Sequence, residues 1–332
     1  MKNIFMSAML FCLLAALVGP AGADEIYVPS NSPAVGGGNH WPWNATSSSE
    51  WRFQQLFSAK QLGFKGGVIK DIAFAPTSSG THTATRFEMT MSHTTASSLV
   101  QVWAANLPAP VVVYPVAPHT WNPVTDTWTP VGLTQPFVYD GVSNLVVDLR
   151  YSGGKILNGF QGACHSDSGT ATTILRSWNK GSGAYSAPNA LSWNRNLGLI
   201  TRITIDVITI TGSGAPRPGG TVVLDLTAPA DAGLVYQVGS SLGLGPTPIG
   251  NRQLNLSLDD LLLVSVSGFF PSLFQKYSGT LDPSGKAQAT IKILNDPRLI
   301  GNQIHSAFLT LDSKAPQGIK SISRSFTFSI LK

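Results

Sequence analysis

The sequence comprises 332 residues with a formal net charge of +5 at pH 7, and charged residues make up only 12% of it. Lysine and arginine occur singly and not in runs, which excludes the basic patches typical of proteins that bind nucleic acids or anionic lipids. The length and a hydrophobic fraction of 43% allow two domains with separate cores.

The first 23 residues predict a secretory signal peptide. Lys2 is followed by an apolar run at residues 9–18, and Ala21-Gly22-Ala23 is an A-x-A cleavage site. The run is shorter than the roughly 20 residues that a membrane span needs, and no such span follows. We therefore expect cleavage after Ala23, no membrane span, and a secreted, extracellular or cell-surface location; an uncleaved signal anchor is the alternative.

Alternating apolar and polar residues predict β-strands after the signal peptide. Residues 85–92 alternate, with Glu88 on the polar face, and residues 144–150 do the same. Residues 200–210 form a long β-branched run, and clusters of glycine and proline separate these segments. The pattern predicts a tryptophan-rich, jelly-roll-like β-sandwich over residues 24–210.

Residues 211–219 predict a linker, because glycine and serine loosen the backbone there and two prolines limit how it folds back. A second series of strand patterns follows and includes the apolar run LLLVSVS at residues 261–267. It predicts an Ig-like or Greek-key β-sandwich over residues 220–332. The whole chain is therefore expected to be all-β.

The C-terminal segment resembles a module found at the C-terminus of uncharacterised exported proteins of environmental bacteria. The resemblance covers residues 212–331 and is carried by PGGTVVLDLTAPADAGLVYQVGSSLGLGPTPIG, GTLDPSGKA and IGNQIHSAFLTLDSKAPQGIKSISRSFTFSI. More loosely, WRFQQLF at residues 51–57 and GGVIKDIAFAP at residues 66–76 resemble another secreted bacterial β module. These resemblances imply secreted β-sandwiches in a cell-surface or extracellular setting, and they imply no catalytic residues.

Sequence motifs of hydrolases, zinc proteases and dinucleotide-binding proteins are absent. A glycosidase needs two carboxylates about 5 to 9.5 Å apart. Glu50 and Glu88 are the candidates, and Glu88 is expected on an outward strand face that lines a concavity of the sheet. The alternative is that Glu88 is a solvated surface residue, so we expect no catalytic residues.

Metal and thiol chemistry have few candidates. His82 and His93 flank one strand pattern and are considered as a metal pair across a sheet edge. We expect no cofactor, with a calcium site at Asp259-Asp260 as the alternative to a capping role. Cys164 and His165 are neighbours on a strand and point to opposite faces, so we expect a buried free thiol and not a nucleophile.

All eight tryptophans precede residue 211. Trp51 in WRFQQLF is expected in the core. Trp41 and Trp43 flank a proline in a loop-like stretch, where two exposed rings would be costly without a purpose. With the nearby amides of Asn39 and Asn44, they suit sugar rings, which present apolar faces and hydroxyl edges; the alternative is that the rings close the end of the sandwich.

Trp121 and Trp128 form a second candidate site, because they lie on either side of a turn-like segment at residues 122–126. Taken together, the patterns predict an exported, noncatalytic protein for binding or surface assembly, with polysaccharide or other surface proteins as partners. One alternative is a purely structural subunit of an extracellular matrix or coat. The second alternative is a carbohydrate-active hydrolase.

Overall fold

The computed structural model describes residues 23–34, 37–39, 50–167, 176–194, 198–250 and 252–332, with the backbone alone at residues 37–39, 167, 193, 194 and 316. Strands account for 49% and helix for 7%, so the prediction of an all-β fold is confirmed. Within the described residues, no helix is long and apolar enough to cross a membrane. The first strand begins at Asp24, the residue after the predicted cleavage site.

The N-terminal half, residues 23–208, and the C-terminal half, residues 209–332, each contain antiparallel sheets. The strands of the N-terminal half are β1 (Asp24–Val28), β2 (Gly37–Asn39), β3 (Trp51–Phe57), β4 (Gly67–Phe74), β5 (Thr81–Thr94), β6 (Val111–Trp121), β7 (Thr129–Pro130), β8 (Phe137–Tyr139), β9 (Asn144–Ser152), β10 (Lys155–Leu157), β11 (Cys164–Asp167), β12 (Arg176–Lys180), β13 (Ser192–Asn194), β14 (Gly198–Leu199) and β15 (Thr201–Val207).

The C-terminal half adds shorter strands and one α-helix. These elements are β16 (Thr209–Gly214), β17 (Thr221–Thr227), β18 (Val235–Ser241), β19 (Thr247–Ile249), β20 (Arg252–Leu254), α1 (Asp260–Val266), β21 (Phe274–Gln275), β22 (Ser278–Thr280), β23 (Lys286–Lys292), β24 (Gln303–Leu311), β25 (Ile319–Ile322) and β26 (Phe326–Ser329). Single 3-10 turns occur at Trp103–Asn106, Pro229–Asp231, Pro297–Leu299 and Pro316–Gly318.

Two sheets of the N-terminal half pack face to face around one core. One has the order β1-β15-β4-β7, with β8 also paired to β4; the other has the order β10-β5-β9-β3-β12-β13, with β6 also paired to β5. Phe53, Phe87 and Leu149 of the second sheet meet Ile72 and Ile203 of the first, all at most 1% exposed. The alternation in residues 85–92 and 144–150 therefore predicted the core face correctly.

The C-terminal half is a second sandwich. Its sheets have the orders β16-β17-β23-β21 and β22-β18-β24-β25, with β26 also paired to β24. Leu224 and Ala289 of the first sheet face Val238 and Phe308 of the second, each at most 1% exposed. Because apolar area removed from water contributes roughly 25 cal/mol per Å², this core provides much of the stability of the half.

The prediction of a linker from residue 211 is wrong for its first part. Residues up to Gly214 belong to β16, which pairs along its length with β17. Ala215 N–H donates to the Thr221 carbonyl over 2.9 Å and closes the hairpin between the two strands. Gly212 is there for packing, since a Cβ at this position would lie 2.3 Å from Cε1 of Phe326. The glycine at position 212 therefore reflects close packing and not flexibility.

The strand predicted at residues 261–267 is also wrong, because α1 occupies this run. The Asp259 side chain accepts the Leu262 N–H over 2.9 Å and caps the helix. Leu262 and Ser265, three residues apart, form its buried face. Only the second half of the run, Val264 to Ser267, alternates as a half-buried strand would, and the cap supplied by Asp259 starts a helix instead.

Backbone groups fix the junction between the two halves. Ile208, the single residue between β15 and β16, donates its N–H to the Gly66 carbonyl over 3.0 Å. A Cβ on Gly66 would lie 2.9 Å from the Ile322 carbonyl oxygen, so only glycine fits this junction. The predicted continuous strand over residues 200–210 is therefore divided at Ile208.

Candidate ligand-binding surface

The structure describes three of the six residues that were predicted to bind a ligand, Asn39, Trp121 and Trp128. Trp41, Trp43 and Asn44 lie outside the described residues. Asn39 ends β2, where its backbone pairs with Cys164. Trp51 is fully buried, as predicted.

Trp121 belongs to the core and not to a ligand surface. Its side chain is 2% exposed, and its indole N–H donates to the Pro130 carbonyl over 2.8 Å. The ring packs edge-on against Phe160, with 5.9 Å between centroids. This burial corrects the prediction that Trp121 belongs to a ligand-binding site.

Trp128 lies at the surface and pairs with Tyr27 of β1. The two half-buried rings have centroids 5.5 Å apart and planes tilted by 49°. Trp128 Nε1–H donates to Asn31 Oδ1 over 3.1 Å, which fixes the orientation of the indole. We call Tyr27 and Trp128 the aromatic pair.

Tyr27 was missed by the sequence analysis, although a signal for it exists. Ile26 and Val28 are buried in β1, so the strand alternation places Tyr27 on the opposite face. Its hydroxyl donates to the Glu25 carboxylate, which also pairs with Arg202 over 3.1 Å. The hydrogen bond to Glu25 raises the pKa of Tyr27, so the phenol stays neutral.

The loop that carries Trp128 is fastened to the sandwich. Asp126 has a positive φ of 55°, and its N–H donates to the Pro76 carbonyl over 2.9 Å. Asp126 Oδ1 lies 2.7 Å from Nε2 of His165 in β11. Cys164 of β11 is the backbone partner of Asn39, and His165 of β11 contacts the loop that carries Trp128. Strand β11 therefore contacts both regions.

Cys164 is the buried free thiol that the sequence predicts. It is fully buried, and burial raises the pKa of its thiol. A thiol that stays protonated is a poor nucleophile. The adjacent His165 uses its ring to hold Asp126, so the two side chains have separate structural roles.

The two glutamates considered for catalysis hold a loop in place. Glu88 is 7% exposed, and both its oxygens accept from Arg150, with N···O distances of 2.8 to 3.1 Å. Its Oε2 also accepts the Tyr185 hydroxyl over 3.1 Å, and Glu50 accepts the Gly183 N–H over 2.8 Å. The expectation of Glu88 in an open concavity is therefore wrong, because the segment around Tyr185 covers it.

The metal pair that was considered at His82 and His93 does not form. His82 and His93 lie eleven residues apart on β5, which at about 3.3 Å per residue separates them by roughly 36 Å. In the part of the chain that the structure describes, no three side chains of His, Cys, Asp or Glu gather as a metal site would require. Asp259 serves as a cap: its two oxygens accept the N–H groups of Leu262 and Leu242.

No protein-family model matches this chain, and no curated protein matches it significantly. The family resemblance of the C-terminal sequence therefore stays a prediction.

Proposed function

We propose that this is an exported, noncatalytic protein that binds polysaccharide through the aromatic pair. The observation that carries the proposal is the fixed, solvent-facing arrangement of Tyr27 and Trp128 beside Asn31. The signal-peptide pattern supports export, with β1 beginning directly after the predicted cleavage site. A panel of polysaccharides, described below, identifies the one that binds.

The chemistry of the surface suits a sugar chain. Aromatic faces gain from contact with apolar C–H groups, while the polar tips of Tyr and Trp keep their hydrogen bonds. The Asn31 amide lies beside the Trp128 ring and matches hydroxyl edges. A tilt of 49° offers two faces of different orientation, which suits a twisted polysaccharide better than one flat ring.

The test is retention of residues 24–332 on a panel of insoluble and soluble polysaccharides. Trp128→Ala and Tyr27→Ala should each weaken binding about tenfold, which corresponds to about 1.4 kcal/mol. Phe269→Ala is the matched control, since it removes an aromatic ring that is 83% exposed in the C-terminal half. Retention by both variants at the wild-type level would reject the proposal, provided that circular dichroism shows intact folds.

A structural surface subunit is the second candidate, and one observation favours it. Phe269, Leu258 and Leu263 are 83%, 69% and 55% exposed around α1, which is unusual for a protein without partners. Concentration-dependent assembly of the mature chain, without retention on any polysaccharide, would support this reading. A hydrolase that uses Glu88 is the least supported of the three candidates, because Arg150 and Tyr185 both donate hydrogen bonds to its carboxylate.

A further inference from the structure

A cleft of about 460 Å³ lies between the two halves, and neither Tyr27 nor Trp128 of the aromatic pair belongs to its lining. Phe137 and Val138 of β8 form one wall, and Ile319 of β25 lies opposite. Its size falls within the range of roughly 300 to 1,000 Å³ that is common for small-molecule sites. Both halves supply the lining, so the cleft exists only in the packed chain.

A buried histidine lines this cleft. His93 is 3% exposed, and its ring is held against Phe137 and Tyr139, with centroids 4.8 and 5.8 Å away. The Asp140 N–H donates to His93 Nε2 over 3.2 Å, so this nitrogen carries no proton. In the neutral ring the proton is then on Nδ1.

The Nδ1–H group of His93 has no hydrogen-bond partner among the described residues. Burial lowers the pKa of His93 and keeps the ring neutral. The Asp140 carboxylate is not its acceptor: Oδ1 lies 3.9 Å from Nε2 and accepts the N–H groups of Val142 and Ser143. A buried donor without an acceptor costs about 1–3 kcal/mol, so the site favours a ligand that accepts a hydrogen bond.

The charges around the cleft favour an anion. Arg252, Lys314 and Lys320 contribute three cations to its lining, against the carboxylate of Asp312 and that of Asp140, which lies behind the lining with Oδ1 3.9 Å from His93 Nε2. Arg252 is 4% exposed and donates to the carbonyls of Ile319 and Lys320 over 2.6 and 3.1 Å, which fixes its guanidinium in place. Cations held beside low-dielectric walls attract anionic ligands from solution.

We propose that this cleft binds a small organic carboxylate with an apolar body. The carboxylate accepts the hydrogen bond from His93 Nδ1–H and is balanced by Arg252, Lys314 and Lys320. The apolar body packs against Phe137, Val138 and Ile319. This site is independent of polysaccharide binding by the aromatic pair.

The experiment is calorimetric titration of residues 24–332 with hexanoate, benzoate and phenylacetate, each beside its uncharged amide. We expect at least one acid to bind with a dissociation constant of about 1 mM or tighter, and its amide to bind about tenfold more weakly. No binding by any of the three acids, or equal binding of acid and amide, would overturn the proposal.

Variants separate the two kinds of interaction. His93→Gln keeps an acceptor near the position of Nε2 but removes the Nδ1–H donor, and it should weaken acid binding about tenfold. Lys314→Gln/Lys320→Gln leaves the core intact and should reduce the preference for the acid over the amide. Lys286→Gln, on β23 and outside the lining, is the matched control and should change nothing.

If His93→Gln proves unstable, the lysine variant and a cleft-filling variant still decide the question. Val138 is half-buried on the cleft wall, so Val138→Trp should fill part of the space and abolish acid binding while the fold is retained. Unchanged binding in Val138→Trp and in the lysine variant would place the acid elsewhere and reject this site.

Discussion

Asp140 of the N-terminal half accepts the backbone N–H of Gln253, in the C-terminal half, over 3.2 Å. The Asp140 side chain is fully buried, and it also accepts the Ser143 hydroxyl over 2.7 Å and two N–H groups of its own turn. One carboxylate therefore shapes the turn at residues 140–143 and joins the halves.

Asp140→Ala should lower the free energy of unfolding by about 2–4 kcal/mol, because several buried donors lose their acceptor at once. Urea unfolding followed by tryptophan fluorescence measures this change. Asp225→Ala is the control, since its side chain makes a surface contact with Gln288, and it should cost at most about 0.5 kcal/mol. Equal stability of the two variants would show that the junction contributes little.

Glu88→Gln should lower stability by about 1–2 kcal/mol, because Arg150 loses its charged partner beside Tyr185. Arg150 is 28% exposed, so solvent screens part of the effect. The same variant tests catalysis: sugar release from the polysaccharide panel should not depend on it. Release by the wild type that Glu88→Gln abolishes would instead support the hydrolase alternative.

His82 should make the protein sensitive to mild acid. Burial lowers the pKa of His82 from 6.5 to about 3, so the unfolded chain takes up a proton first as the pH falls. The contribution of neutral His82 to the free energy of unfolding is fully present above pH 6.5. It is lost as the pH falls from there toward 3, and about 2 kcal/mol is lost at pH 5. Thermal unfolding of the wild type and of His82→Phe at pH 7 and pH 5 measures this effect. The variant should lose less stability between the two pH values than the wild type.

Arg176 offers a route to a more stable protein. Its guanidinium is fully buried without a hydrogen-bond partner in the described part of the chain, and burial lowers its pKa to about 10. Replacing a buried, poorly compensated charge by an apolar side chain of similar length is often stabilising. Arg176→Met should raise the free energy of unfolding by about 1–3 kcal/mol in urea denaturation. A loss of stability would mean that the Trp178 ring, whose centroid lies 5.3 Å from Cζ of Arg176, compensates the buried charge.

Local patterns predict local burial well in this chain. The two-residue alternation around Phe87 and Leu149 identified the core face because strand side chains alternate whatever the topology. The linker error arises because a distant residue decides: Gly212 packs under Phe326, more than a hundred residues further along the chain. The error at α1 is local, because the cap that starts the helix is the adjacent Asp259.

The candidate sites, too, could be predicted only where the local sequence determines the structure. Trp128 was predicted because it flanks a turn, but its partner Tyr27 lies about a hundred residues away, and only the fold brings the rings together. Trp121 had the same sequence context as Trp128 yet lies in the core. The cleft at His93 joins β5, β8, β20 and β25, so no single stretch of sequence could reveal it.

The connection between the halves has a mechanical consequence. Only Ile208 separates β15 from β16, and its N–H is fixed to Gly66. A connection of one residue spans at most about 3.6 Å, so the halves have no slack for sliding apart. The sandwiches can pivot only about the torsions of Ile208, and a wide swing would break the Asp140–Gln253 bond. Tension applied to the ends of the chain would therefore reach both cores together.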